Sequence, residues 1–373
     1  MKKKFVSISL CLAMAAVSLA GCGLKEPEAP ATTAAPAATE AAKETEAAGS
    51  EAATQAAEAA GGEKVGPDIT LVMAEVNPLD TIVGQTDTAF KEKVEELSGG
   101  SIKIDLQASG VLGSENDVLD TMLGGGDIDM SRISAFALTS YGGQKSMLLS
   151  IPYTFVSREH FWNFATSPLA EEFLLEPQEN GAGVRGLFYG EEGFRHFFTV
   201  KEIHGLEDLK GMKLRVSNDP IMNGMVEGLG ASPTVVSFGE LYSALQTGVV
   251  DGAENGYPGY DSNKFYEVAP YYLLDAHTFS PGIILMAEAQ WNKLSPEDQA
   301  ILLEAGKKAS EWNKAAIEEE EKALRTSLEG KGVTIIECPP EDIAAAQEAC
   351  KSVWAGYTEG IEDLLQKIVD IQQ

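Results

Sequence analysis

From residue 68 onwards, apolar runs with strand character alternate with apolar residues at helical spacing, and this alternation restricts the fold more than any other feature. Strands are predicted at 69–73, 102–106 and 128–130, and helices at 80–98 and from Ser114 to the glycines at 124–126. Strands that are separated by helices are typical of an α/β fold, and they predict a largely parallel sheet.

The alternation restarts beyond residue 185, which indicates a second α/β unit. Strands are predicted at 186–189, 195–200, 212–216 and 333–336, and helices at 219–229, at 238–247, from Ser295 to about Glu329 and from Pro340. Two such units with a shared helical tail predict two lobes with a cleft between them. We assign lobe I to residues 67–190 with part of 281–325, and lobe II to residues 191–280 with part of 326–373.

The first 66 residues are predicted to be a targeting segment and a tether. Three lysines precede an apolar run at 5–19, which is the length of a signal peptide and too short to cross a bilayer. Residues 1–21 are therefore predicted to be a signal peptide. The run ends in LAGC, which resembles a bacterial lipobox and predicts lipidation of Cys22; the alternative is an ordinary signal peptide with an incidental cysteine.

Residues 22–66, rich in Ala, Glu, Thr, Pro and Gly, are expected to form a disordered tether behind the lipidated Cys22. The globular part would then be held outside the cytoplasm, in the periplasm or on the outer face of the plasma membrane.

Charge and motifs exclude several classes of function. The formal net charge of −29 argues against a nucleic-acid partner, because phosphate binding needs clustered Lys and Arg. No HExxH, GxSxG or Cys/His cluster occurs, so we predict no enzyme, no cofactor and no metal. Cys338 and Cys350 either form a disulfide or stay as buried free thiols, and the helical spacing between them favours thiols.

Two arginines stand out in a chain with few basic residues. Arg195 lies on a predicted strand between aromatic residues, and Arg215 lies on the next strand. Leu214 and Val216 face one side of that strand, so Arg215 points to the other. Each arginine is either a salt-bridged structural group or part of a carboxylate clamp, because the planar guanidinium matches two carboxylate oxygens.

Four segments carry a family resemblance in their order and spacing: LEDLKGMKLRV at 206–216, LGASP at 229–233, FGELYSALQTG at 238–248 and VDGAEN at 250–255. LGSE at 112–115 and GDIDM at 126–130 add weaker support. From Asp68 to about Lys322 the chain resembles the solute receptors of tripartite ATP-independent periplasmic (TRAP) transporters, of the C4-dicarboxylate-receptor type. The resemblance implies a two-lobe periplasmic-binding-protein-like α/β fold, with a hinge and long shared C-terminal helices.

The resemblance also implies a ligand site. Arg215 falls on the usual clamp arginine, Arg195 on a second basic position, Asn255 on the end of the DGxEN element and Phe238 on an aromatic position. The segments around Arg132 and His277 look like those of members that bind hexuronates such as glucuronate or galacturonate. Together with these six, we predict ligand-binding roles for Glu75 and Ser134.

Two of these residues have structural alternatives. Arg132 could be the internal ion-pair partner of Glu75 or Asp127, and His277 could be a buried core histidine.

We predict a monomeric extracytoplasmic lipoprotein that passes a hexuronate to a TRAP membrane permease. Alternatives are a receptor for a C4-dicarboxylate, keto acid or sialic acid, a sensor module, or a lyase or hydrolase of acidic sugars.

Overall fold

The computed structural model describes residues 67–217 and 219–371, so the predicted signal peptide (1–21), Cys22 and the predicted tether (22–66) lie outside the described residues. The strands in these ranges are β1 (Ile69–Ala74), β2 (Ile102–Gln107), β3 (Met130–Ser134), β4 (Val184–Thr199), β5 (Lys213–Arg215), β6 (Ser232–Thr234), β7 (Gly252–Asn255), β8 (Tyr271–Ala287) and β9 (Thr334–Glu337).

The α-helices in the same ranges are α1 (Ile82–Leu97), α2 (Glu115–Leu123), α3 (Arg158–Ala165), α4 (Pro168–Glu179), α5 (Pro220–Gly228), α6 (Leu241–Thr247), α7 (Tyr257–Ser262), α8 (Glu288–Trp291), α9 (Pro296–Gly330), α10 (Pro340–Thr358) and α11 (Glu362–Asp370). Short 3-10 helices lie at Ala135–Tyr141, Ser146–Ser150, Leu206–Leu209, Phe238–Glu240 and Phe265–Glu267. None of these helices combines the length and the apolar composition that a bilayer crossing requires.

The strands form one sheet in the order β2-β1-β3-β8-β4-β7-β5-β6, with β9 beside β8. β1 is parallel to β2 and β3, and β5 is parallel to β6 and β7. The long strands β4 and β8 run antiparallel to each other and to β3 and β7. The sheet is therefore mixed, and the expectation of a largely parallel sheet is wrong for its centre.

The pairing of β4 with β8 runs through both halves of the sheet. It extends from Val184 opposite Ala287 to Thr199 opposite Tyr271. β3 borders β8 at 282–286, and β7 borders β4 at its other end, at 196–199. Both long strands thus contribute to the two halves. The exact boundaries assigned to lobe I and lobe II stay a prediction.

Two separate strands were predicted at 186–189 and 195–200, but the structure has one continuous strand there, β4. Gly190 and Gly193 between them are typical of a turn, but Gly193 adopts a φ of 83° at a break in the register with β8. Such a bulge bends a strand without ending it, and it changes where the following side chains point.

α9 is a single helix of 35 residues, about 50 Å long, that packs against both halves of the sheet. Near its start, Leu302 and Ala305 join a core cluster with Phe90 and Phe188. Near its end, Leu328 joins a different cluster with Tyr260. The long C-terminal helix that the sequence predicts is confirmed.

A buried amide ties α9 to the bulge in β4. The Asn313 side chain accepts a hydrogen bond from the Glu191 backbone N–H (2.8 Å) and donates to the Glu191 carbonyl (3.2 Å) and to the Thr86 hydroxyl (3.0 Å). Because an unpaired buried amide is costly, these three bonds hold α1, β4 and α9 in one arrangement.

Cys338 and Cys350 are buried free thiols, which is the alternative that the sequence favours. Both pack in the cluster under β5 and α5. Burial raises the pKa of each thiol to about 12, so neither is a ready nucleophile.

The packing of α9 on β4 generates a stability prediction. A Cβ at Gly306 would stand 2.4 Å from Phe188 Cδ1, whereas a Cβ at Gly356 in α10 would meet nothing within 4 Å. Alanine favours a helix over glycine by up to about 1 kcal/mol. We expect Gly356→Ala to raise the free energy of unfolding slightly and Gly306→Ala to lower it by about 1–3 kcal/mol through overpacking. Urea unfolding followed by circular dichroism measures both; a stabilising Gly306→Ala would contradict the tight packing.

Candidate ligand site

A cavity of about 40 Å³ lies at the carboxyl ends of β3, β5 and β7. It is lined by Val76, Asn77, Glu115, Arg132, Ser134, Glu192, Arg195, Arg215, Ser217, Phe238 and Asn255. A larger cleft of about 440 Å³ adjoins it. The two spaces share the lining residues Val76, Glu115, Arg215, Ser217 and Phe238. Side chains from both halves of the sheet thus meet at one concave place.

Six of the eight predicted site residues line this cavity: Arg132, Ser134, Arg195, Arg215, Phe238 and Asn255. Glu75 and His277 are outside the lining set and lie in the layer behind it.

Arg215 stands at the last position of β5, and strand alternation explains where it points. Leu214 is fully buried and Val216 nearly so, both in an apolar cluster on one side of the strand. The Arg215 side chain turns to the other side and enters the cavity, as the sequence predicts. Its Nε donates to the Val236 carbonyl at 3.0 Å, which fixes the guanidinium plane.

The Arg215 guanidinium is buried without a carboxylate. The residue is 5% exposed, its Nη1 has no hydrogen-bond partner, and no described Asp or Glu lies within the 4.0 Å of an ion pair. Burial lowers the pKa of Arg215 to about 10. The charge lies 5.7 Å from the Phe238 ring centroid. An unpaired buried cation costs free energy, so this position attracts an anion.

Arg195, by contrast, is paired with protein groups. Its Nε and Nη2 form a bidentate pair with the Glu254 carboxylate, and its Nη1 donates to the Ser280 hydroxyl at 3.0 Å. Although burial opposes the charged form, Arg195 and His277 lower the pKa of Glu254 to about 2. Arg195 is therefore a salt-bridged group, which is its structural alternative. It also lies on the cavity wall, where a residue of a carboxylate clamp would be expected.

His277 lies behind the Arg195–Glu254 pair and is completely buried. Its Nδ1 is 2.8 Å from an Asp275 carboxylate oxygen, and its Nε2 is 3.5 Å from a Glu254 oxygen. This ring does not reach the cavity wall, and a ligand-binding role for His277 stays a prediction. Its burial beside two carboxylates fits the alternative of a buried core histidine.

Arg132 forms an ion pair with Glu192, so the predicted partners Glu75 and Asp127 are wrong. Glu75 is buried behind Arg132 and accepts hydrogen bonds from the backbone and side chain of Asn77. Burial raises the pKa of Glu75. Burial and the neighbouring Glu75 together hold the pKa of Asp87 well above its usual range. Glu75 thus acts on the cavity through Arg132.

Asn255 and Phe238 complete the wall that faces Arg215. The Asn255 Oδ1 accepts the Gly256 backbone N–H at 2.7 Å, and the Tyr272 hydroxyl donates to the Asn255 carbonyl at 2.8 Å. With its oxygen engaged, the amide has its NH2 end left as a donor. Phe238 opens the 3-10 helix before α6 and presents an aromatic face.

Two lining carboxylates, Glu115 and Glu192, are absent from the predicted site. Glu115 is the first residue of α2, and its Oε1 accepts the Ser134 backbone N–H at 2.5 Å. Burial raises the pKa of Glu115. Glu115 could have been found from the sequence, because it lies in the LGSE segment of the family resemblance. Nothing in the sequence distinguishes Glu192 from the other acidic residues, of which the chain has 57 in total.

Comparison with known proteins decides the family. Residues 73–360, well over half of the chain, match the bacterial extracellular solute-binding proteins of family 7.

The chain belongs to this family.

Relatives of this family 7 protein agree in sequence and in fold. A solute-binding protein of Roseobacter denitrificans is 33% identical over 280 residues, which are 75% of this chain and 84% of the relative. A TRAP periplasmic solute-binding protein from a Bradyrhizobium species, solved with galacturonate, has a TM-score of 0.76 at 32% identity and covers 81% of this chain and 99% of its own. One from Pseudomonas putida F1, solved with D-glucuronate, has a TM-score of 0.76 at 29% identity and covers 80% and 96%. The predicted TRAP-receptor resemblance and two-lobe α/β fold are confirmed.

The layer behind the cavity generates a pH prediction for this family 7 protein. Although burial disfavours the charged ring, Asp275 and Glu254 raise the pKa of His277 to about 9, above its ordinary value of 6.5. The protonated ring therefore stabilises the fold fully below about pH 6.5, and this contribution, roughly 3 kcal/mol, is lost as pH rises through about 9. We expect the difference in unfolding free energy between wild type and His277→Gln to shrink from pH 6 to pH 9.5.

Urea unfolding at several pH values measures that difference. His204→Gln, which replaces an exposed histidine, is the matched control. A constant difference for His277→Gln would mean that the ring is neutral in the fold.

Proposed function

We propose that this protein captures a hexuronate such as galacturonate or glucuronate outside the cytoplasm, and delivers it to a TRAP membrane permease. The unpaired, buried Arg215 guanidinium in the cavity carries the proposal, because it supplies a charge that a ligand carboxylate would neutralise. Solved relatives support the ligand class, since they hold D-glucuronate and galacturonate, and another holds the related sugar acid L-galactonate.

In this proposal Arg215 binds the carboxylate and Phe238 forms a wall for the sugar ring. The Asn255 amide donates to an oxygen of the acid, and the paired Arg195 adds positive potential without being the main contact. Arg132 and Ser134 meet the hydroxyl groups from the first half of the sheet. Glu75 and His277 position Arg132 and Glu254 from behind.

We further propose that closure of lobe I onto lobe II follows from this division of contacts. A ligand that touches both lobes favours the closed state by its differential affinity for it. The acid is bound and released chemically unchanged, and neither a cofactor nor a metal takes part. The closed monomer is what the permease would recognise.

Replacing Arg215 separates binding from stability. We expect Arg215→Ala to weaken galacturonate binding by at least about tenfold, because it removes the charged partner of the carboxylate. The unfolding free energy should stay the same or rise, since an unpaired buried charge is removed. Isothermal titration and thermal unfolding measure the two effects.

Arg185 offers a matched control for this variant. It also lacks a carboxylate partner within 4.0 Å in the described structure, but its guanidinium stacks on Trp291 at 3.8 Å, outside the lining of the cavity. Arg185→Ala should leave the affinity unchanged. An unchanged affinity in Arg215→Ala would remove Arg215 from the proposed site.

We propose that the protein is anchored by a lipid on Cys22, which supports an extracytoplasmic position near the permease. When the full chain is expressed in a bacterial host, it should partition into the detergent phase of a Triton X-114 extract. Cys22→Ser should partition into the aqueous phase, and Cys11→Ser, within the predicted signal peptide, should behave like wild type. Equal partitioning of wild type and Cys22→Ser would refute the anchor.

A further inference from the structure

The arginines that line the cavity differ in how their charges are compensated. Arg132 is paired with Glu192, and Arg195 with Glu254. Within the described residues this leaves Arg215 as the lining arginine without a carboxylate within 4.0 Å. The cavity therefore offers a ligand one guanidinium without an ion-pair partner, although three guanidinium groups line it.

Glu115 is the opposite case among the lining carboxylates. Its Oε1 accepts a backbone N–H from Ser134, and no described Lys, Arg or His lies within 4.0 Å of its carboxylate. Glu192 is neutralised by Arg132 at the same wall. The cavity thus holds one carboxylate and one guanidinium that have no ion-pair partner, and the charge of Arg132 favours the ionised form of Glu115.

Glu115 and Arg215 lie where the inner cavity meets the outer cleft, so a ligand that occupies both spaces is close to both side chains. Glu115 and Arg215 are the charged residues that line both the inner cavity and the outer cleft. In the outer cleft Asp117 adds a second carboxylate, and Arg215 is again the cation. An acid whose carboxylate lies on Arg215 and whose body reaches into the cleft therefore brings its far end beside carboxylates.

We propose that Glu115 makes this site selective for acids that carry one carboxylate and several hydroxyl groups, and that it excludes dicarboxylates. Hydroxyl groups donate hydrogen bonds to a carboxylate, so the far end of a sugar acid is accepted. A second carboxylate in the ligand meets Glu115 as a like charge and finds no free cation to bind. This inference rests on the proposed function, because it assumes a carboxylate at Arg215.

The test compares D-galacturonate with galactarate, the meso dicarboxylate that differs from it by oxidation of C1. Isothermal titration of the full chain should show galactarate binding at least about a hundredfold more weakly, because facing like charges disfavour binding strongly. Glu115→Gln, which keeps an oxygen for the Ser134 N–H, should narrow that ratio by about tenfold or more, chiefly through tighter galactarate binding.

Asp120→Asn removes one negative charge from an exposed position of the same helix and serves as the control. The ratio of galacturonate affinity to galactarate affinity in this variant should equal that of wild type. If wild type binds both acids equally, or if Glu115→Gln leaves the ratio unchanged while galacturonate still binds, this inference is wrong and the proposed function stands. If folded wild type binds neither acid, the proposed function fails and the inference with it.

Discussion

The antiparallel pairing of β4 with β8 is the interaction on which the rest of the molecule depends. It crosses from one half of the sheet to the other, and the remaining strands attach to one end or the other of this pair. Arg195 comes from β4, while β8 supplies Gly282, where a Cβ would stand 2.5 Å from Arg132 Nη2. A side chain at this position would crowd that guanidinium beside the central strand. The same pairing therefore builds the fold and shapes the cavity.

Three buried arginines line the cavity, and burying their charges costs free energy of folding. Three guanidinium groups in one buried place repel each other, and two of them are stabilised by Glu192 and Glu254. Arg215 has no such partner, and burial lowers its pKa to about 10. A bound carboxylate would supply the missing partner. Binding and stability are then opposed at Arg215, as is common at functional sites.

Much of the fold could be predicted from the sequence, because helix caps and apolar periodicity act locally. α2 begins with the Ser114 capping box, and α9 runs as one helix from its own cap at Ser295. β3 was placed two residues too early, since the polar residues Ser131 and Arg132 interrupt its apolar pattern. β8 was not predicted, because Pro281 and Gly282 break a strand pattern that only the pairing with β4 completes.

The candidate site was predictable where strand alternation or the family resemblance points to a residue. Arg215 follows from Leu214 and Val216, and it lines the cavity as expected. The partner of Arg195 could not be predicted, because Glu254 is 59 positions away and one of many acidic residues. The packing of His277 could not be predicted either: its ring lies against Phe197, with 4.4 Å between the ring centroids. Which side chains share a cavity depends on long-range packing.

Neutralisation of Arg215 by a ligand carboxylate is tested most directly by a crystal structure of the protein with D-galacturonate. We predict carboxylate oxygens within about 3.2 Å of the Arg215 guanidinium nitrogens, with Arg195 still paired to Glu254. A carboxylate bound at Arg132 or Arg195 instead, with Arg215 facing hydroxyl groups or water, would contradict it.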